Sequence, residues 1–218
     1  MSYKAIVVGG SGLIGRKLIN VLSQWPEYDE IVSLGRKKIK LKNKKLSQLI
    51  VDFDKLEDYA AEINGHAVFC CLGSTKKKTP DLKEYRKIDH DYPVKLAEIA
   101  KKNGVEQFHL VSSLGANKNS SAYYTRMKGE TEEDLKKVGT NSLFIYQPSI
   151  LTGNRTERRP VEKIAGIIMK IIDPLLFGSL KKYKSISAYT VAFAMFKTSL
   201  KNKQGTFTYP SDKIKEIK

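Results

Sequence analysis

The stretch that most constrains this chain is Ile6-Val7-Val8-Gly9-Gly10-Ser11-Gly12-Leu13-Ile14-Gly15-Arg16-Lys17-Leu18. It holds an apolar strand, a glycine-rich turn and the start of a helix. The glycines fit two overlapping registers, Gly10-x-Gly12-x-x-Gly15 and Gly9-x-x-Gly12-x-x-Gly15. In either register one glycine permits the tight turn and one lets backbone N–H groups approach a pyrophosphate. Gly15 then lets the helix pack closely on the strand. The phosphates would sit at the positive end of that helix. A bare glycine pattern is weak evidence, but this one follows a strand and opens a helix, so it reads as a dinucleotide site.

Strands and helices alternate from this point, which implies a parallel sheet with helices on both faces. Residues 4–8 form the first strand and about 13–24 the first helix, ended by Trp25-Pro26. Glu30 to Leu34 is the second strand and runs into Gly35-Arg36-Lys37. A site specific for NAD places an acid roughly 20 residues beyond the glycines, on the ribose 2′-hydroxyl. Here the position holds Arg36, with Lys37 and Lys38 beside it. A guanidinium can grip a 2′-phosphate with paired hydrogen bonds, so NADP(H) is expected over NAD(H). Leu49 to Phe53 reads as a third strand. It ends in Asp52, a candidate for the adenine amino group or for a helix N-cap, and Phe53, a candidate to lie against the adenine ring. A helix from about Lys55 to Ile63 follows, ended by Gly65. Ala67 to Leu72 is continuously apolar, as a strand buried on both faces would be. It opens into Gly73-Ser74-Thr75, suited to passing under the cofactor ribose. Asp89 to Asn103 is a helix ended by Gly104.

Gln107 to Ser112 is the fifth strand and delivers Ser112-Ser113. Eleven residues after Ser113 comes Tyr124-x-x-x-Lys128. If residues 121–137 are helical, the two side chains share a face one turn apart. The ammonium favours the ionised phenol, so Tyr124 suits a general acid toward a carbonyl or a base toward an alcohol. Lys128 can also hold the nicotinamide ribose, and Ser113 can hold the substrate oxygen against Tyr124. In a chain with 32 lysines and 11 tyrosines the spacing also arises by chance, and Tyr209-x-x-x-Lys213 is a second example. It follows no strand-end serine, and Pro210 lies between its members. Tyr123 reads as packing and Arg126 as solvated. His66, His90 and His109 have no cysteine or histidine at metal-ligand spacing and read as structural or surface residues, with no metal site.

Ser142 to Tyr146 is the sixth strand, and Pro148, Ile150 and Leu151 after it suit a wall for the nicotinamide. Arg155, Arg158 and Arg159 read equally as a substrate mouth or a surface loop. Val161 to Phe177 is amphipathic and reads as a cap or dimer helix. A helix over Tyr189 to Leu200 and a last strand over Thr206 to Tyr209 close the domain, with a mobile lysine-rich tail after Pro210. Residues 1–218 read as one domain, with 153–187 and the C-terminal region as a small cap on the substrate side.

The formal charge is +16, and 32 of the 39 basic residues are lysines spread along the whole chain. The densest run, Arg36 to Lys45, holds seven basic residues. The lysines are not interleaved with aromatics and no nucleic-acid motif accompanies them, so a solvated surface is expected, with no specific nucleic-acid partner. The chain enters its first strand by Lys4 or Ala5, so no signal peptide is expected. Its longest apolar region, Ile164 to Leu180, is broken by Lys170, Asp173 and Pro174, so no membrane span is expected. Cys70 and Cys71 are adjacent in a strand and point to opposite faces. Two thiols placed so are poor partners for each other, and a reducing, cytoplasmic location is expected.

Several of these segments together resemble a known group. They are Gly9-x-x-Gly12-x-x-Gly15, Leu34-Gly35-Arg36, Val51-Asp52-Phe53, Gly65 to Gly73 with its Cys-Cys-Leu-Gly end, Ser112-Ser113-x-Gly115-Ala116, Tyr124-x-x-x-Lys128 and Pro148 to Arg159. The chain resembles an atypical short-chain dehydrogenase/reductase and, more narrowly, the Tat-interacting-protein-like oxidoreductases. The resemblance implies a three-layer, doubly wound α/β Rossmann fold with about seven strands, NADP(H) across the strand ends and a Ser-Tyr-Lys site. It brings no substrate. It also allows a regulatory protein that senses NADP(H), turns over little and acts through a protein partner or as a homodimer. One departure is Gln147, where relatives tend to have arginine before the proline. The candidate catalytic residues are thus Ser113, Tyr124 and Lys128. The candidate cofactor contacts are Gly9, Ser11, Gly12, Leu13, Ile14 and Gly15, then Arg36, Lys37, Asp52 and Phe53. Further along they are Cys71, Leu72, Gly73, Tyr124, Lys128, Pro148, Ile150 and Leu151.

Overall fold

Seven parallel strands form the central sheet, in the order β3-β2-β1-β4-β5-β6-β9. The computed structural model describes residues 2–153, 173 and 176–218. The strands are β1 Tyr3–Val8, β2 Tyr28–Gly35, β3 Leu46–Ile50, β4 Ala67–Cys70, β5 Gln107–Val111, β6 Ser142–Gln147 and β9 Gly205–Pro210. A two-stranded ladder, β7 Leu151–Thr152 with β8 Ile186–Ser187, lies apart from them. The helices are α1 Leu13–Gln24, α2 Leu82–Arg86, α3 Tyr92–Lys102, α4 Tyr123–Val138, α5 Ala188–Ser199 and α6 Ser211–Glu216. The chain winds one way from β1 to β3 and the other way from β4 onward. The reversal leaves a crevice between the carboxyl ends of β1 and β4, where such sheets bind ligands. The doubly wound Rossmann architecture expected from the sequence is therefore present.

Alternation along the central strands divides the core in two. Ala5 and Val7 of β1 face a cluster with Leu18, Leu22, Val191, Met195 and Phe196 from α1 and α5. Ile6 and Val8 face the other side, with Leu96, Ile99 and Leu135 from α3 and α4. Cys70 belongs to the second cluster and Cys71 packs against the first, so the adjacent thiols do lie on opposite faces. Both are free, and burial pushes the Cys70 thiol up to about 11.

Three local departures have physical causes. The third strand ends at Ile50 and Asp52 lies beyond it. The Asp52 carboxylate accepts the Asp54 N–H at 3.0 Å and caps a 3₁₀ segment, Phe53–Glu62, in place of continuing the ladder. The helix expected from Asp89 begins earlier, at Leu82, where the Asp81 side chain accepts the Lys83 N–H at 2.7 Å. A π turn, Lys87–Asp91, then joins α2 to α3, with the Tyr92 N–H reaching back to the Lys87 carbonyl. Pro93 explains it: proline offers no N–H to the Asp89 carbonyl four residues back, and its ring crowds that oxygen. The Thr131 hydroxyl of α4 donates to the Asp89 carbonyl instead, at 3.1 Å.

The mobile tail expected after Pro210 is corrected. Residues 211–216 are helical, with Ser211 and Ile214 buried and Ser211 Oγ 2.9 Å from Ser149 Oγ. The expected cap at 153–187 lies largely outside the described residues, as do Arg155, Arg158, Arg159 and most of the amphipathic segment beginning at Val161. Replacing Ile214 by alanine should cost about 2–5 kcal/mol. Urea unfolding measures it, and a midpoint equal to wild type would mean the C-terminal helix adds nothing to the fold.

Candidate functional site

A cavity of about 780 Å³ crosses the carboxyl ends of β1, β4, β5 and β6. At one end is the start of α1. Gly9 has φ +85°, and a Cβ on it would lie 2.5 Å from the Cys71 carbonyl. A Cβ on Gly15 would lie 2.4 Å from the Gly9 carbonyl. The turn and helix therefore close to backbone contact, which only glycine permits at these two positions. Gly12 precedes α1 with no side-chain cap and no acid in the first turn, so the N–H groups at the helix start stay open toward the cavity. Arg16 lines the cavity there, and its Nε is buried with no hydrogen-bond partner among the described residues. A bare helix terminus, a cradle that a Cβ would fill and an unpaired guanidinium nitrogen together fit a dinucleotide's phosphates.

At the other end stand the candidate chemical groups. Tyr124 and Lys128 lie one turn apart on α4 and both line the cavity, as does Ser113 beyond β5. Tyr124 is 42% exposed and Lys128 only 4%. The Ser113 hydroxyl makes only a long 3.5 Å contact with the Leu114 carbonyl. Its neighbour Ser112 is buried and donates to Glu132. Both strand-end serines line the cavity, and their hydroxyls distinguish them: that of Ser112 is held by Glu132, while that of Ser113 has only the long contact.

Lys128 has a partner that the sequence did not disclose. Its Nζ lies 2.8 Å from Oδ1 of Asp89, with 4% and 1% of the two side chains exposed. Oδ2 of Asp89 accepts the Ser74 N–H at 2.7 Å, which ties the loop after β4 to the same carboxylate. Oδ1 makes no hydrogen bond apart from the ion pair. Burial alone would pull the Lys128 ammonium down, but the charges of Asp89 and Tyr124 outweigh it and hold the pKa above the usual lysine value. Lys128 stays charged throughout the neutral range. In sequence Asp89 is one more acid at a helix start, and only the π turn aims it inward.

The cavity also takes in Ser11, Gly12, Leu13, Ile14, Cys71, Leu72, Gly73, Pro148, Ile150 and Leu151 from the expected set, with Gly9 and Gly15 beneath its floor. Four candidates are not brought to it. Arg36 and Lys37 are exposed just past the end of β2. Asp52 is exposed and occupied as a cap, and Phe53 is buried with its ring centroid 5.4 Å from that of Tyr92. Tyr209 and Lys213 fall in β9 and α6, so the second Tyr-x-x-x-Lys pair shares no helix face. The histidines are engaged elsewhere. His109 is buried between Tyr146 and Gln107, His66 stacks on Tyr3, and His90 lies between Asp91 and Asp134. Tyr123 donates to the Leu82 carbonyl, and Arg126 donates to the Ser120 and Ser121 carbonyls.

The model of a family described as NAD(P)H-binding matches residues 9–166. This chain belongs to the NAD(P)H-binding family. It is an atypical short-chain dehydrogenase/reductase, as its motifs implied, similar to protein HTATIP2 of Rattus norvegicus. The two are 36% identical over 170 residues, which cover 76% of this chain and 70% of the relative. Protein FMP52 of Coccidioides immitis is 29% identical over 214 residues, covering 92% and 87%. Among solved structures, the Bordetella bronchiseptica enzyme WbmH in complex with NAD+ superposes with a TM-score of 0.72 at 15% identity, over 97% of this chain and 76% of that one. A UDP-N-acetylglucosamine 4-epimerase from Methanobrevibacter ruminantium gives 0.71 at 16% identity, over 96% and 76%. These two likenesses speak for the fold.

The fungal members correct one expectation. FMP52 proteins of Coccidioides, Aspergillus and Candida, 27–34% identical, are named mitochondrial, which overturns the cytoplasmic location. Unpaired thiols separate reducing from oxidising compartments and do not tell one reducing compartment from another. Among the described residues of this family member, no helix is long and apolar enough to cross a membrane.

Replacing Asp89 by alanine would leave the Lys128 ammonium buried and unpaired, at a cost of about 3–5 kcal/mol. For a chain of this size that lowers the unfolding midpoint by on the order of 10 °C, readable by calorimetry. A midpoint within about 2 °C of wild type would mean that Lys128 does not depend on this pair.

Proposed function

We propose that the chain is an NADP(H)-dependent oxidoreductase acting on a small carbonyl or alcohol, with Ser113, Tyr124 and Lys128 as its chemical groups. One observation carries this reading: a single cavity joins the open start of α1 to the Tyr124–Lys128 face of α4. Phosphate-binding groups stand at one end of it and acid–base groups at the other, as a dinucleotide lying across the strand ends requires. The nicotinamide, when bound, supplies hydride to the carbonyl carbon. Tyr124 gives its phenolic proton to the carbonyl oxygen, which takes the electron pair of the broken π bond and remains on the carbon as the hydroxyl of the alcohol. Ser113 donates a hydrogen bond to the same oxygen and holds it against Tyr124. The Lys128 ammonium stabilises the phenolate left behind and offers its remaining donors to the ribose hydroxyls. Asp89 keeps that ammonium in place. Pro148, Ile150 and Leu151 form an apolar wall at the nicotinamide end.

The preference for NADP(H) rests on Arg36 and Lys37, exposed just past the end of β2 where an acid would serve the 2′-hydroxyl of NAD(H). A charge-assisted grip on the 2′-phosphate contributes about 1.5–3 kcal/mol. Arg36→Ala should therefore weaken NADPH binding at least about tenfold and leave NADH nearly unchanged, in a titration of nicotinamide fluorescence. Equal losses for both nucleotides would refute the assignment of Arg36. With a panel of aldehydes and ketones, Tyr124→Phe should lower kcat by about 10²–10⁴ while NADPH still binds. Turnover that survives the substitution would remove Tyr124 as the acid. Tight NADPH binding by the wild type without turnover of any carbonyl would replace the enzyme reading with that of a cofactor sensor.

A further inference from the structure

One group of the site is left unused by that mechanism. Glu132 lies one turn beyond Lys128 on α4, so Tyr124, Lys128 and Glu132 form one i, i+4, i+8 row. Glu132 is 6% exposed. Both of its oxygens accept the Gln147 amide at 3.0 Å, and one also accepts the Ser112 hydroxyl. Ser112 directly follows β5, and its N–H donates to the Tyr146 carbonyl at 2.7 Å. Gln147 ends β6. Across the gap the Leu114 N–H donates to the Pro148 carbonyl at 3.0 Å.

These bonds close a ring that runs Glu132, Ser112, Ser113, Leu114, Pro148, Gln147 and back to Glu132. Ser113 lines the cavity, and among the described residues its hydroxyl has only a 3.5 Å contact of its own. Its position is therefore set by its neighbours. The same carboxylate fixes α4, which carries Tyr124 and Lys128, against the ends of both strands. We infer that Glu132 is a positioning residue, the member whose carboxylate fixes the Ser113 hydroxyl relative to Tyr124 and Lys128 and fixes the Pro148 wall relative to both.

Its environment fits this role. Its direct partners are a hydroxyl and an amide, both uncharged. Burial holds the Glu132 carboxyl above the usual carboxylate range, partly offset by the Ser112 and Gln147 hydrogen bonds and by the charges of Lys136 and Lys128. Keeping a carboxylate in such a place carries a standing cost unless its hydrogen bonds are complete. The ring completes them. A glutamine at 132 preserves the shape but sets one amide NH₂ against another. Exchanging the two residues, with Glu132→Gln and Gln147→Glu together, restores a donor facing an acceptor and leaves an oxygen for the Ser112 hydroxyl.

This inference rests on the catalytic reading of Ser113 and Tyr124, and the test separates the two. Steady-state kinetics on a carbonyl substrate and amide hydrogen exchange on the cofactor-free protein are measured for wild type, Glu132→Gln and the double exchange. Glu132→Gln should lower kcat about tenfold to a hundredfold, the penalty of a misplaced reacting group, with KM for NADPH within about twofold of wild type. Exchange should quicken at residues 112–116 and 147–149 and stay unchanged in the interiors of β5 and β6. The double exchange should recover most of kcat and the slow exchange. An unchanged kcat and unchanged exchange in Glu132→Gln would overturn the proposal. So would loosening throughout β5 and β6 that the double exchange does not repair, because that marks a merely structural role. If the wild type reduces no carbonyl, the catalytic reading fails, and exchange at Leu114 still decides whether Glu132 closes the ring.

Discussion

An ammonium and a carboxylate, both almost wholly removed from water, hold the working end of this molecule together. Asp89 and Lys128 join the π turn to α4, and through the Ser74 N–H they also hold the loop leaving β4. Thr131, three residues past Lys128, grips the backbone of the same aspartate. Two ions so deeply buried each carry a desolvation penalty of several kcal/mol, and apolar residues of the same volume would often be at least as stable. Such a pair is an expensive way to fasten a helix. It is an effective way to keep one lysine charged, oriented and within reach of a ligand.

The two ends of the cavity are built on different principles. The α1 end works through backbone: glycines remove side-chain bulk until carbonyls and N–H groups touch, and the helix terminus supplies positive potential. The α4 end works through side chains held by second partners, Asp89 behind Lys128 and Glu132 behind Ser112. The first arrangement suits a ligand part common to many dinucleotides. The second suits reacting atoms, where a few tenths of an ångström matter.

Much of this was legible in the sequence, because the features concerned are periodic or local. Continuous apolar runs marked the buried strands, and Gly9 to Gly15 marked the first helix start. The Tyr124–Lys128 spacing acquired meaning from the strand-end serines before it. What escaped notice depends on contacts between distant residues. Asp89 looked like a helix-start acid, because nothing in the local pattern shows that Pro93 widens the helix and turns that carboxylate inward. The C-terminal segment looked like a solvated lysine tail, because only Ser211 and Ile214 of it are buried and their partners lie elsewhere in the chain. Phe53 looked like an adenine shelf, because a sequence does not reveal that Tyr92 covers it.

The π turn between α2 and α3 has a geometric consequence of its own. An α-helix advances by about 100° of rotation per residue, so one additional residue in a turn shifts the phase of everything beyond it by that angle. The segment on the early side shows Tyr85 to the interior, and the segment on the late side shows Leu96, Ile99 and Ala100 to the sheet. In a regular helix through residues 82–102 Tyr85 would lie about 20° from Leu96, on the same face. The extra residue turns Tyr85 away from that face by about 100°, and the residue at the change of phase, Asp89, is the one that reaches the cavity and Lys128. The chain thus brings a buried polar group to the cavity by widening one turn, without breaking the helix that carries it.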